Sequence, residues 1–240
     1  VLLIAFIGIP LGFTLLLVGI AGFAYVRGGL FDFDSINASL AMAGQQILDL
    51  STNYGLSVLP LFVLMGTFIH RAQLSEELYD ATNAFLGHRK GGLAMATIGA
   101  CAGFAAVSGS SLATAATMSK VAMPPMRRFN YADSLAAGSI AAGGTLGILI
   151  PPSVPMVIYG ILTEVDIGKL FIAGILPGLL LVVLYFCAIA IVVRIKPEMG
   201  PPGIRVDWPN RLRALSKVWG ILALFVLVLG GIYLGVFTPT

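Results

Sequence analysis

Charged residues are scarce in this chain of 240 residues: Asp, Glu, Lys and Arg make up 10%, whereas 58% are hydrophobic. A soluble domain carries about 25% charged residues, which cover its surface. This composition and a mean hydropathy of +0.97 exclude a soluble globular protein. The net charge of +3 does not indicate nucleic-acid binding, because the basic residues form short clusters between apolar runs. The sequence therefore indicates an integral membrane protein.

Cysteine and membrane-embedded ionisable residues are also nearly absent. Cys101 and Cys187 lie in apolar stretches and have neither a metal-ligand spacing nor a disulfide framework. The histidines, His70 and His88, lie at or beyond the ends of apolar stretches, so a proton relay or voltage sensor has no candidate residues. The sequence shows no nucleophile–base pair that would indicate an enzyme. It also shows no charged ring or filter repeat that would indicate a channel.

The uncharged stretches predict where the chain crosses the bilayer. A helical span needs about 20 mostly apolar residues. Four stretches satisfy this length: 1–26, 50–70, 170–193 and 218–240. Residues 35–48 are shorter and more polar, and their spaced Ile and Leu residues predict a helix at the membrane interface. Residues 74–86 predict an amphipathic helix along the surface, within segment 71–90.

The distribution of Lys and Arg predicts orientation. These residues are concentrated in segments 71–90, 120–133 and 194–217, which we expect to face the cytoplasm. Segments 27–49 and 164–169 carry one basic residue each and are expected on the other side.

The apolar stretch 91–119 joins two segments that are both predicted to be cytoplasmic. One span would place them on opposite sides, and two full spans need about 40 residues. The stretch therefore predicts a re-entrant hairpin of two short helices, with its turn between Ala105 and Ser111. Non-helical backbone at membrane depth is tolerated where it is buried in protein or lines a wet cavity, so the turn is a candidate site.

A second long stretch, 134–163, contains residues that interrupt helices. Its glycines and prolines are Gly143, Gly144, Gly147, Pro151, Pro152 and Pro155, besides Gly138 and Gly160. Glycine weakens a helix, and proline removes an amide donor and clashes with the preceding turn. The pattern predicts a broken span with an unwound middle, which in secondary transporters marks a substrate or ion site. A continuous kinked helix is the alternative.

The two predicted breaks carry hydroxyl groups. These are Ser108, Ser110, Ser111, Thr114 and Thr117 in the hairpin, with Thr145 and Ser153 in the broken span. Unwound carbonyls and hydroxyl oxygens suit a hard monovalent cation such as Na⁺, and free amides at half-helix N-termini suit a carboxylate. Ser110 or Thr114 taken alone is better explained by close packing of membrane helices, but the run SGSS with ATAA after it at the predicted turn favours a binding site.

The breaks and their flanks contain four recognisable motifs. They read PLFVLMG at 60–66, FAAVSGSSLATAA at 104–116, GTLGILIPPS at 144–153 and LFIAGILPG at 170–178. In this order and spacing the chain resembles the large membrane (M) subunit of tripartite ATP-independent periplasmic (TRAP) transporters. The resemblance implies a multi-pass protein of the bacterial inner membrane that imports small organic acids (carboxylates) with Na⁺ as coupling ion and no cofactor. It also implies two partners, a small membrane subunit and a periplasmic solute-binding protein.

The resemblance further implies an all-α fold: one repeat of an inverted-repeat, elevator-type transporter with a re-entrant hairpin and a broken transmembrane helix. The expected organisation is scaffold-type helices at 1–70, a surface helix at 71–90, the hairpin at 91–119, the broken-helix region at 120–169, and transmembrane helices at 170–240 that lead into a second repeat.

In this family, sodium sites lie where a hairpin tip meets the broken helix of the same repeat. Carried over to this chain, that implies a Na⁺ site formed by Ser108, Gly109, Ser110, Ser111, Gly143, Gly144, Thr145 and Pro151. The candidate substrate-binding residues are Thr114, Pro152 and Ser153.

The chain departs from the family in length. Family members are about twice as long, and residues 236–240 resemble the opening of the second repeat. We therefore expect the first half only, with the remainder on this polypeptide, on another chain, or absent. An alternative function stays open at this point: a half-length, non-transporting structural or assembly subunit of a membrane complex.

Overall fold

The computed structural model describes residues 7–29, 32–52, 56, 58–72 and 74–236. These residues form eleven α-helices and no β-strand, which confirms the all-α prediction. The helices are α1 (Leu11–Arg27), α2 (Phe33–Thr52), α3 (Val58–Arg71), α4 (Leu74–Leu86), α5 (Gly92–Ser108), α6 (Ser111–Arg128), α7 (Asp133–Thr145), α8 (Val154–Thr163), α9 (Ile167–Ile195), α10 (Trp208–Lys217) and α11 (Trp219–Tyr233). Two compact units result, Val1–Leu56 and Ser57–Thr240.

In the first unit, α1 packs against α2. The Asp32 carboxylate accepts hydrogen bonds from the hydroxyl (2.5 Å) and the N–H (3.1 Å) of Ser35, so it caps the start of α2 and its pKa is lowered. Helix α2 is longer than the predicted segment 35–48. Within the predicted span 50–70, α2 ends at Thr52 and α3 begins at Val58, and residues 53–55 and 57 lie outside the described residues.

The second unit is built around α5. Leu93, Ile98 and Phe104 on this helix are at most 1% exposed and join the core with Met118 and Leu146. Helices α4, α6, α7 and α9 pack against it. A helix with small and apolar residues all round is expected at such a central place. The apolar face of α4 thus contacts α5 rather than lying free on the surface.

Helices α5 and α6 form a helix–turn–helix pair with a two-residue turn. Helix α5 ends at Ser108, and Ser110 caps α6 because its Oγ accepts the N–H of Ala113 at 3.4 Å. Helix α6 continues well beyond the predicted hairpin end at 119, so much of segment 120–133 is helical. Arg127 and Arg128 occupy its last turn, where positive charge interacts favourably with the helix dipole.

The next helix is interrupted where its glycines and prolines predict a break. Helix α7 ends at Thr145, a 3₁₀ turn covers Leu146–Ile148, and α8 begins at Val154. Pro151 and Pro152 lie in the irregular segment between them. Pro155 lies in the first turn of α8, where its missing N–H would have no helical acceptor.

Among the described residues, α9 is the helix long and apolar enough to cross a bilayer by itself. Helices α10 and α11, bent by 44° at their junction, meet the same length and composition criteria together. The other predicted full spans contain shorter helices: α1 has 17 residues, α3 has 14 and α11 has 15. Residues 1–6 and 237–240 of the predicted end spans lie outside the described residues.

Candidate functional site

The turn between α5 and α6 contacts the break between α7 and α8. We call residues 108–111 with 146–154 the tip–break junction. The N–H of Val154 donates to the carbonyl oxygen of Gly109 at 3.2 Å. Gly109 has φ 59°, a conformation that favours glycine, and a Cβ built on it would lie 3.0 Å from the carbonyl oxygen of Pro152. The C-terminal ends of α5 and α7 and the N-terminal ends of α6 and α8 therefore meet at one place.

Glycines at the end of α7 and in the 3₁₀ turn after it allow this close approach. A Cβ on Gly147 would lie 2.5 Å from the carbonyl oxygen of Ser110, and one on Gly144 would lie 2.8 Å from the Cβ of Ala115. A Cβ on Gly143 would lie 2.5 Å from the Cys101 sulfur on α5. Any larger residue would push α7 and the turn after it away from α5 and α6. The glycines of the break thus serve packing as well as helix interruption.

Hydroxyl groups stabilise the turn from within. The Thr114 hydroxyl donates to the Ser110 carbonyl oxygen at 2.8 Å, and the Ser108 hydroxyl lies 2.8 Å from Thr114 Oγ1. Because the single Thr114 proton is used by Ser110, Ser108 is the donor in the second bond. Ser108 and Thr114 are 6% and 0% exposed. Thr114 therefore holds the turn and is fully bonded inside the protein.

A cavity of about 280 Å³ lies beside the turn. Among the described residues its lining contains no ionisable side chain and includes Gly66, Thr67, Phe104, Ser108, Ser110, Ala113, Thr117 and Val154. The helix dipoles give the junction its partial charges: positive at the starts of α6 and α8, and negative at the ends of α5 and α7. Sequence reasoning missed the contribution of α3, although Gly66 closes the first motif and Thr67 follows it.

Two predicted hydroxyls point elsewhere. Thr145 is exposed; its hydroxyl donates to the carbonyl oxygen of Ala142 at 2.6 Å and lies 2.8 Å from the Tyr185 hydroxyl on α9. Ser153 is fully buried, and its hydroxyl donates to the carbonyl oxygen of Ile148 at 2.7 Å, a hydrogen bond within the break itself. Tyr185 has no sequence signal that links it to the break.

The structure thus brings most of the predicted residues together. The junction and the helix faces beside it include Ser108, Gly109, Ser110, Ser111, Thr114, Gly143, Gly144, Pro151, Pro152 and Ser153, whereas the Thr145 side chain is bonded to Tyr185 on α9. Within the described residues, no group of three His, Cys, Asp or Glu residues could hold a metal ion. A cation at the junction would be bound by hydroxyl and carbonyl oxygens, which hard cations prefer.

Comparison with known proteins identifies the family. The family profile described as "Tripartite ATP-independent periplasmic transporter, DctM component" matches residues 1–240. The C4-dicarboxylate TRAP transporter large permease protein DctM of Pseudomonas aeruginosa is 44% identical over 212 residues, 88% of this chain and 48% of that protein.

Two further relatives are the ectoine TRAP transporter large permease protein TeaC of Halomonas elongata and the sialic acid TRAP transporter large permease protein SiaM of Vibrio cholerae. They are 36% and 33% identical, each over 98% of this chain and about half of the relative (53% and 52%). The chain spans about half the length of these curated relatives, consistent with the N-terminal half of the large subunit. The chain belongs to the DctM component family of tripartite ATP-independent periplasmic transporters.

Proposed function

We propose that this chain forms part of the large permease of a Na⁺-coupled importer of small organic acids in the bacterial inner membrane. It works with a small membrane subunit and a periplasmic solute-binding protein. Family membership supports a transport role. The substrates named for the relatives (C4-dicarboxylate, ectoine and sialic acid) differ, but each carries a carboxylate, which supports an organic acid as the substrate.

The observation that carries this function is the meeting of four helix ends beside a mostly apolar cavity that is lined in part by serine and threonine residues. The starts of α6 and α8 present partial positive charge that favours a carboxylate. The ends of α5 and α7 present carbonyl oxygens, and Ser108 and Ser110 add hydroxyl oxygens at the cavity. This pairing of half-helix ends suits joint binding of an anionic substrate and Na⁺.

We assign the roles of the predicted residues accordingly. Ser108, Gly109, Ser110 and Ser111 supply Na⁺ ligands from the turn, and backbone oxygens of the segment from Gly143 to Pro151 supply them from the break. Thr114 and Ser153 are bonded within the protein, so they position the turn and the break next to the substrate. Pro152 lies with them at the start of α8.

The Lys- and Arg-rich segments determine how we place the helices in the membrane. In our proposal α5 and α6 form a re-entrant hairpin, α7 and α8 form a broken span, and the second unit is one repeat of an elevator-type transporter.

Cysteines introduced at exposed Glu76 and Arg128, in a background lacking Cys101 and Cys187, should both be labelled from the cytoplasmic side. Lys169→Cys, in the short segment expected outside, serves as the control. Labelling of positions 76 and 128 from opposite faces would exclude a re-entrant hairpin.

The transport test uses the complete permease with its small subunit and binding protein in proteoliposomes. An inward Na⁺ gradient should drive uptake of an organic acid, and a K⁺ gradient of equal size should not. Equal uptake with both gradients would exclude Na⁺ coupling. No uptake of any acid, together with a reading frame that stops shortly after Thr240, would favour the non-transporting structural subunit.

A further inference from the structure

A second cavity, of about 500 Å³, lies away from the tip–break junction. We call it the basic cavity. Its lining includes the cationic side chains of Arg89, Lys90 and Arg194 and the apolar side chains of Met95, Ala190 and Val193. One wall comes from the loop before α5 and the other from the last turns of α9.

Backbone hydrogen bonds hold the loop that carries Arg89 and Lys90. The N–H of Gly91 donates to the carbonyl oxygen of Gly200 at 2.8 Å, and the N–H of Gly203 donates to the carbonyl oxygen of Gly87 at 2.8 Å. A Cβ on Gly91 would lie 2.9 Å from Val193, so the loop also contacts α9 directly. The three cations are therefore brought together by fixed backbone rather than by flexible side chains alone.

In the described residues these cations have no anionic partner. Within the described part of the chain the one ion pair joins Arg127 to Asp133, and no acidic side chain pairs with the cations of the basic cavity. Three like charges around one cavity repel each other unless an anion lies between them. Nearby, burial and the charges of Arg211, Arg89 and Arg205 hold the pKa of His88 below its ordinary value, which indicates a positive potential at this end of the molecule.

The basic cavity lies at the expected depth of lipid head groups. Helix α9 has 29 residues, about 43 Å at 1.5 Å per residue, whereas the hydrocarbon core is about 30 Å thick. Arg194 in its last turn is therefore placed near the membrane surface. Exposed Leu184, Ile191 and Ile195 on the same helix present apolar surface to acyl chains. Helix α10 also exposes an apolar face that suits the interface, beginning at Trp208.

We propose that the basic cavity binds the phosphate group of an anionic phospholipid, with the acyl chains along the exposed apolar face of α9. Arginine side chains bind phosphate through paired N–H groups, and basic pockets beside membrane helices hold lipid head groups. The apolar wall of Met95, Ala190 and Val193 favours a lipid over a soluble anion. This inference rests on the proposed membrane placement but not on Na⁺-coupled transport.

The experiment measures binding of phosphatidylglycerol to the purified complete permease in neutral detergent, by titration and by native mass spectrometry. Wild-type protein should bind phosphatidylglycerol and retain it in preference to phosphatidylcholine. The triple variant R89Q/K90Q/R194Q should bind phosphatidylglycerol about a hundredfold more weakly, since each cation near a lipid surface contributes about fivefold. The control K120Q/R128Q/R213Q removes three exposed cations that do not line the basic cavity but lie in segments predicted to be cytoplasmic, and it should bind normally.

Equal weakening in the control variant would show a general surface effect and overturn the site. Displacement of phosphatidylglycerol by inorganic phosphate at equal concentration would assign the cavity to a soluble anion and overturn the lipid assignment. If the triple variant does not fold, Arg194→Gln should weaken binding and Arg194→Lys should largely keep it; equal binding by both would overturn the proposal. Loss of transport with intact lipid binding would count against the proposed function alone.

Discussion

The carbonyl oxygen of Gly109 accepts a 3.2 Å hydrogen bond from the N–H of Val154. The first amides of a helix have no acceptor within the helix, and here the turn between α5 and α6 supplies one. Val154 is the first residue of α8, and Pro155 after it has no N–H, so Val154 carries one of the few amides at this helix end. Displacement of the turn would leave this amide unpaired, so the turn and α8 are coupled through their backbones.

The first prediction concerns Gly109→Ala. Alanine at φ 59° costs about 1–2 kcal/mol, and its Cβ would lie 3.0 Å from the carbonyl oxygen of Pro152. We expect lower thermal stability in detergent and a loss of uptake per folded molecule, since the turn would shift away from α8. Uptake should be normalised to monodisperse protein from gel filtration.

Gly138→Ala is the matched control for this substitution. Gly138 lies in α7, and no atom lies within 4 Å of a Cβ built on it. The change should raise helix stability by about 0.5–1 kcal/mol without affecting uptake. Similar losses in both variants would mean that Gly109 has no special role in the turn.

The second prediction is an energetic coupling between Ser108 and Thr114. Their hydroxyls are 2.8 Å apart, and both residues are buried. Ser108→Ala, Thr114→Val and the double variant form a thermodynamic cycle, measured by reversible unfolding in mixed detergent micelles. The coupling energy should be about 0.6 kcal/mol, with about 1.7 kcal/mol as an upper bound for such bonds in membrane proteins. Additive effects of the two changes would show that the hydroxyls pack without a significant bond.

Much of the junction could be predicted from the sequence because its causes are local. Pro151, Pro152 and Pro155 cannot donate amide hydrogens, so an interruption before α8 follows from their chemistry. The turn at Gly109 likewise follows from a glycine between serines that can cap the next helix. These effects act within a few residues and do not depend on the rest of the fold.

Other features depend on packing between distant segments. The direction of the Thr145 side chain is set by Tyr185 on α9, which no local pattern connects to α7. The contribution of Gly66 and Thr67 to the cavity depends on where α3 packs. The described helix bounds also differ from several of the uncharged stretches, because an uncharged stretch gives the limits of an apolar run and not those of a helix.

The third prediction concerns pH and His88. Its pKa is lowered, first by burial and then by the charges of Arg211, Arg89 and Arg205. Between this lowered pKa and the ordinary value of about 6.5, the unfolded state binds more protons than the folded state. Thermal stability should therefore rise as pH increases through this interval and level off above it.

His88→Gln should remove this part of the pH dependence. Arg211→Gln should move the lower limit of the interval to higher pH, because one of the neighbouring positive charges is lost while burial remains. Differential scanning fluorimetry of the purified permease from pH 5 to pH 8 gives the comparison. Identical profiles for wild type and His88→Gln would show that His88 does not contribute.

The last prediction separates Ser110 from Thr145. Ser110 lines the cavity at the turn, whereas the Thr145 hydroxyl is exposed and bonded to Tyr185. If Na⁺ binds at the turn, Ser110→Ala should raise the Na⁺ concentration for half-maximal uptake about tenfold, the effect of losing about 1.5 kcal/mol from a bond to a charged group. Ser110→Thr keeps the hydroxyl and the helix cap and should retain most of the Na⁺ affinity.

Thr145→Ala should change the Na⁺ concentration for half-maximal uptake less than about threefold. It should resemble Tyr185→Phe, because both substitutions remove the same exposed hydrogen bond. A tenfold effect of Thr145→Ala with a normal Tyr185→Phe would instead show that the Thr145 hydroxyl turns toward the ion during transport.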